Sequence, residues 1–452
     1  MKKNQGILLL LFASLLAGCG RLKVEGRLMQ PAEATATAQA ALTPSPTPAP
    51  RLGKVAFVRG GDIWTTNLDT GQEVRLTEGG DYTHPRWSPS GRWLAFFRGR
   101  ALWVVDTDSG TPWRIAGHAT GSSWSPVADR LASVTGDGGL WVSNPDGSQS
   151  QELISGPGVQ GGGVGRVAWS PDGDWLAFEW TETEPEARPT SQGLRRIRAD
   201  GTGLSEIASA YHPPQEDDTV ALAAWSPDGT RLTFWQIPFN SPSLAADGVP
   251  LRTVPLNGGR PTVVAERVLP YPDFAAWSPT GDGLAIVAGG FRATWLDKTL
   301  VLATPDGQAI TVLAPATDVA LSPAWAPDGK RLAYVGAPTR PGALGGAGAS
   351  ALLADRRIWA IAADGSNRRQ LASDPAFRDE RPQWSADGES LLFLRLHGRP
   401  PDLRAGLWLM RADGSLLRPI AEDLSPLPDP FGFYGYVDWS DLFDWWTGPP
   451  EP

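Results

Sequence analysis

Four histidines, His84, His118, His212 and His397, are the side chains of this 452-residue chain best suited to acid–base or metal chemistry near neutral pH. No HExxH pair places two of them on one helical turn, so a metal site would need several loops to converge. A polysaccharide lyase or hydrolase would have to gather at least three of these imidazoles with a carboxylate such as Asp81 or Glu216. No GxSxG nucleophile elbow occurs. The stretch GPGVQG at 156–161 fits GxGxxG, but Pro157 and the glycines after it lead into a strand, which excludes a dinucleotide cradle. DTDSG at 106–110 opens like a calcium loop and lacks the rest of the pattern. This inventory predicts a chain that is not an enzyme and holds neither cofactor nor metal.

The remaining reactive side chain is Cys19, the single cysteine, which rules out an internal disulfide. It closes MKKNQGILLLLFASLLAGC, where two lysines precede an apolar run too short to span a bilayer. LLAGC resembles the lipobox of bacterial lipoproteins, which implies a signal peptide over 1–18, lipidation of Cys19 and anchoring to a bacterial membrane from the periplasmic or cell-surface side. Residues 19–52, with PAEATATAQAALTPSPTPAP, lack the bulky apolar side chains a core requires and read as a tether. Its proline-bearing part extends at about 3.1 Å per residue where it is polyproline-like. The net charge of −9, with no basic block, excludes nucleic acid and electrostatic docking on anionic lipid.

Beyond the tether the chain is repetitive. Trp87 opens WSPSGRWLAFF, and related copies begin at Trp124, Trp169, Trp225, Trp277, Trp325 and Trp384. An eighth tryptophan, Trp439 in YVDWSDLF, has no LAF partner, while KVAFV at 54–58 is such a partner without its tryptophan. Between tryptophans come an apolar strand ending in a turn, as in LWVVDTDSG or RIWAIAADG, and a short strand such as VRLT or RPIA. Four strands over about 50 residues are the period of a propeller blade. Pro, Asp and Gly in SPDG suit the successive positions of a tight hairpin turn. The pattern predicts an all-β fold, a single eight-bladed propeller over 53–446 with a tail at 447–452. One blade is built from both chain ends, with Trp439 supplying its inner strand.

WSPDG, then LAF, then an aromatic strand ending in DG, resembles the repeat of the TolB-type β-propellers across residues 54–440. The resemblance implies the propeller fold and a cell-envelope setting. The chain departs from that family in having eight repeats behind a tether, where TolB-type proteins have six blades behind a separate α/β domain.

In a four-strand meander the SPDG and ADG turns share one face of the ring, and the other connections share the second. All four histidines and most tyrosines fall in the long loops of that second face, where binding residues concentrate. The candidate partner-binding set is Tyr82, His84, His118, Tyr211, His212, Tyr271, Phe377, His397, Phe433 and Tyr434. Amphipathic aromatics around a concavity suit a protein, peptide or glycan, bound by a monomer. A small ligand sensed in the channel is the further alternative and requires a closed polar cavity.

Overall fold

The computed structural model describes residues 52–156, 162–183, 189–209, 218–238, 246–342, 349–398, 402–429 and 431–448. The export signal, Cys19, most of the tether, Tyr211, His212 and the last four residues lie outside the described residues.

The repeats fold as the all-β propeller their period predicts, as four-stranded antiparallel blades, seven of them with their strands in chain order from the inner edge outward. Blade 2 is typical, with strands Tyr82–Trp87, Trp93–Arg98, Ala101–Asp106 and Pro112–Ala116. Blades 5 and 6 are joined into one eight-stranded sheet where Val268 pairs with Ala288. The LAF strand is the buried spine of each blade: Leu94, Leu176, Leu232, Leu284, Leu332 and Leu391 are all at 0% exposure. Covered on both sides by neighbouring blades, this strand is apolar on successive residues.

The repeated tryptophan has a structural task. The indole N–H of Trp124 donates to Arg86 O in the preceding blade at 3.0 Å. Trp169, Trp225, Trp325 and Trp384 do the same to Ser123, Ala168, Ala276 and Ala324 at 2.9–3.1 Å. Each acceptor on this belt is the residue just before that blade's own tryptophan, so a buried indole finds its partner across the blade boundary. The SPDG glycines adopt the left-handed conformation that the turn demands, with φ between 65° and 75° at Gly91, Gly173, Gly229, Gly281, Gly329 and Gly388.

Ring closure corrects one expectation. Trp439 lies in a short 3-10 helix, Trp439–Asp441, whose start is capped by the Asp438 carboxylate accepting from Ser440 N at 2.9 Å. The inner strand of blade 1 is Phe443–Trp446, which pairs with Lys54–Arg59. Val55 faces Trp445 as Leu94 faces Trp87, so Trp445 is the repeat tryptophan of the closing blade. Its indole donates to Leu52 O at 2.8 Å, tying the C-terminal strand to the first described residue. One apolar cluster then runs through blades 8, 1 and 2, containing Leu392, Val55, Phe443 and Leu94.

Candidate binding face

The tightest constraint on the second face comes from residues 422–442, between the outer strand of blade 8 (Arg418–Ala421) and the closing strand. This segment is a strap. It leaves past blade 1, where Gly60 N donates to Ser425 Oγ at 2.9 Å and Gly61 N to Ser425 O at 2.9 Å. It reaches blade 6, where Thr294 N donates to Tyr434 O at 3.0 Å and Trp295 packs on Phe431. It then meets blades 7 and 8 through Arg356 and Arg381, and returns to blade 2 where Arg86 donates to Ser440 O at 2.7 Å.

A buried charge network holds the strap. The Arg356 guanidinium donates to Glu380 at 2.8 Å, to Thr294 Oγ1 at 2.6 Å and to Gly435 O at 2.9 Å. Glu380 accepts also from Arg378 at 2.6 Å. Burial alone would raise the Glu380 carboxyl, but the two guanidinium charges outweigh it and hold the group below its ordinary value. Nearby, Tyr436 of the strap stacks on Tyr271 with centroids 3.5 Å apart and rings 3° from parallel. Burial pushes the Tyr271 hydroxyl up to about 12, and burial with the Asp273 charge raises Tyr436 further. Asp273, itself raised by burial, accepts from Ser322 Oγ at 2.6 Å. The two tyrosine hydroxyls are therefore neutral at physiological pH and serve as packing and hydrogen-bonding groups.

The candidate residues separate into several places. Tyr82 is 5% exposed, edge-on to Phe96 in the core with Arg98 over its ring, which leaves no face for a partner. His84 projects from the inner strand of blade 2 and pairs with Asp441 of the strap at 2.7 Å. His118 stands 3.3 Å from an Arg100 guanidinium nitrogen between blades 2 and 3. Phe377 and His397 pack edge-on on blade 8, with the buried Arg395 over the Phe377 ring. Tyr271 stacks on Tyr436 of the strap, while Phe433 and Tyr434 of the same strap pack edge-on on each other beside blade 6. Among the described residues no group of three or more His, Cys, Asp or Glu is arranged to hold a metal ion. No helix of the described residues is long and apolar enough to cross a membrane.

Beside Phe433 and Tyr434 stands a residue that the sequence did not single out. Phe291 is 50% exposed, Phe433 52% and Tyr434 37%, and among the described residues these are the exposed Phe, Tyr and Trp side chains. Phe291 and Tyr434 have φ of 65° and 50°, held there by hydrogen bonds from Phe291 N to Asp247 O and from Thr294 N to Tyr434 O. Arg292 spans from Asp247, at 3.0 Å, to the Tyr434 ring, 5.6 Å from its centroid. Lys298 fixes the loop from beneath: its ammonium donates to Gly290 O at 2.7 Å and Phe291 O at 2.8 Å. A local signal for Phe291 was present in GGFRATW, an aromatic after two glycines, but nothing local placed it beside the strap. A second overlooked signal is Pro two residues before the tryptophan in HPRW, SPAW and RPQW, where His84, Ser322 and Arg381 take φ of 49–56° at a bulge of the inner strand.

No family model matches the chain. Bovine (Bos taurus) coronin-7 is 28% identical over 130 residues, which is 27% of this chain and 14% of that protein. Dipeptidyl peptidase 4 of Porphyromonas gingivalis superposes with a TM-score of 0.57 at 12% identity, covering 84% of this chain and 59% of that one. A putative TolB from Agrobacterium tumefaciens aligns over 82% of this chain and 89% of its own at 14% identity, with a TM-score of 0.34. The chain thus spans less than two thirds of both coronin-7 and the peptidase. The likeness to the peptidase shows the propeller fold and corrects the expectation that the chain is not an enzyme. A peptidase carries the same architecture, so the missing motifs do not separate a binding propeller from an enzymatic one.

Proposed function

We propose that this chain is an exported, lipid-anchored propeller that holds a polypeptide partner against the rim formed by Phe291, Phe433 and Tyr434. The observation that carries this is the confinement of the exposed Phe and Tyr side chains, among the described residues, to one rim on backbone held by the Arg356–Glu380 network and the Lys298 cage. Exposed aromatics with a flanking arginine are the composition of an interface hot spot, and a rigid backbone lowers the entropy lost on binding. The Cys19 lipid and the tether would keep the rim within reach of other envelope proteins.

The test has two arms. Crosslinking on intact envelopes compares the full chain with Phe291→Ala/Phe433→Ala/Tyr434→Ala, and mass spectrometry identifies what is held. A polypeptide crosslinked to the normal chain and lost from the triple variant, at unchanged melting temperature, is expected; equal capture by both would sink the proposal, and elution by a glycan would replace the partner class. Separately, Cys19→Ser is expected to release the chain from the membrane fraction and to remove the mass of the acyl groups.

A further inference from the structure

The strap's described contacts are to blades 1, 2, 6, 7 and 8, and the channel wall on blades 3 to 5 carries a cavity of about 430 Å³. The inner strands of these blades bulge beside the cavity, at positions that include small residues. The register shifts between Ala119 and Gly121 in blade 3 and between Val164 and Val167 in blade 4; Gly121 borders open space and Gly165 lies close against Glu179. In blades 2, 7 and 8 the corresponding bulges carry His84, Ser322 and Arg381.

The charges in the cavity are unequally committed. Glu179 accepts from Leu222 N at 2.8 Å and from Arg166 N at 3.2 Å, so both carboxylate oxygens already hold a backbone donor. A Cβ on Gly165 would come within 2.7 Å of Glu179 Oε2, so glycine there is a condition of the carboxylate's seat. Arg166 is an exposed residue of the cavity lining; among the described residues its guanidinium makes no hydrogen bond or salt bridge, and its charge acts on the Glu179 carboxyl without closing on it. Ser122 adds a hydroxyl donor, and Val167, Leu222 and Ala223 give the remaining wall an apolar character.

We infer that this cavity binds an organic carboxylate of amino-acid size, with Arg166 as its anchor. A planar guanidinium offers two parallel N–H donors to one carboxylate, and the apolar wall receives the body of the ligand. A phosphate dianion would bring twice the negative charge of a carboxylate toward Glu179 and has no apolar part to bury. The volume is within the range of small-ligand sites. The carboxylate is that of a free small acid or of a peptide C-terminus, which present the same chemistry to Arg166.

Calorimetric titration of the full chain distinguishes these. The probes are N-acetyl-leucine and its amide, and a hexapeptide ending in leucine with a free or amidated C-terminus. The expected result is saturable binding of an acid form, with the matching amide and the Arg166→Gln variant weaker by about 10- to 100-fold, the loss of a charge-assisted bidentate contact. Binding of N-acetyl-leucine alone assigns a free acid, and binding of the hexapeptide alone assigns a chain end. Gly121→Val fills the cavity without touching Arg166: its Cβ meets nothing within 4 Å, and its φ is an ordinary one. That variant should melt as the parent and lose binding. Amides binding as well as acids, binding unchanged in Arg166→Gln or Gly121→Val, or no binding of either acid at millimolar concentration would each overturn the assignment. The rim variants leave this result unchanged, so its failure and that of the aromatic rim are read separately.

Discussion

Replacing Trp445 by Ala tests the closure of the ring. Trp445 is 8% exposed, lies opposite Val55 in the inner strand of blade 1, and shares a cluster with Phe443 and Phe57, both at 0%. Truncating a buried Trp to Ala costs about 3–5 kcal/mol when the site cannot collapse, and here a neighbouring blade fixes each side. The indole bond to Leu52 O, 2.8 Å long, contributes about 1 kcal/mol of net stability. Trp445→Phe keeps most of the apolar area and loses that bond, so it should cost about 1–2 kcal/mol by the same accounting. The assay is urea unfolding of the full chain followed by tryptophan fluorescence and circular dichroism. A cost below about 1 kcal/mol for Trp445→Ala would refute the reasoning, since no fully packed indole is lost so cheaply. Deleting 443–452 goes further, leaving Lys54–Arg59 as an apolar edge, and light scattering should show association.

The charge networks make three more predictions. Glu380→Gln leaves Arg356 and Arg378 uncompensated and should cost about 3–5 kcal/mol in urea unfolding, with faster hydrogen exchange in the strap. Because the folded Glu380 carboxyl lies below its ordinary 4.5, its contribution is full above that value and is lost as the pH falls through the lower folded value; the Gln variant should lack this part of the acid limb. Lys298 is buried and pushed down to about 8 from 10.5, mainly by desolvation. Its ammonium is thus disfavoured in the folded state below pH 8, and stability should rise between about pH 8 and 10.5, by about 3 kcal/mol relative to Lys298→Met. A flat difference between the two pH curves would contradict it. Gly165→Ala drives a methyl against Glu179 and should cost about 1–3 kcal/mol, whereas Gly121→Ala, open on all sides, should be near neutral in thermal melts.

The repeats were legible because each is specified locally. A Pro-Asp-Gly turn, a tryptophan and an apolar spine lie within about ten residues, and the turn's φ requirement acts on the glycine itself. Trp439 misled for the same reason: DWS imitates the start of a repeat, yet Asp438 caps a 3-10 turn there and the strand begins only at Phe443. The candidate site was legible in part. The loop-rich face could be named from strand order, and Phe433 and Tyr434 are exposed on it, but Tyr82 from the same set is core. Burial of one side chain depends on its blade neighbour, which the strand's own residues do not announce.

Residue order alone was enough for the blade count, the turn chemistry and the apolar spine, since these depend on groups within hydrogen-bonding reach along the chain. The path of the strap, the network from Glu380 through Arg356 to Gly435, and the cavity around Arg166 came only with the folded ring. Those contacts join residues that are dozens to hundreds of positions apart in sequence, and their geometry exists only once the eight blades have closed on one another.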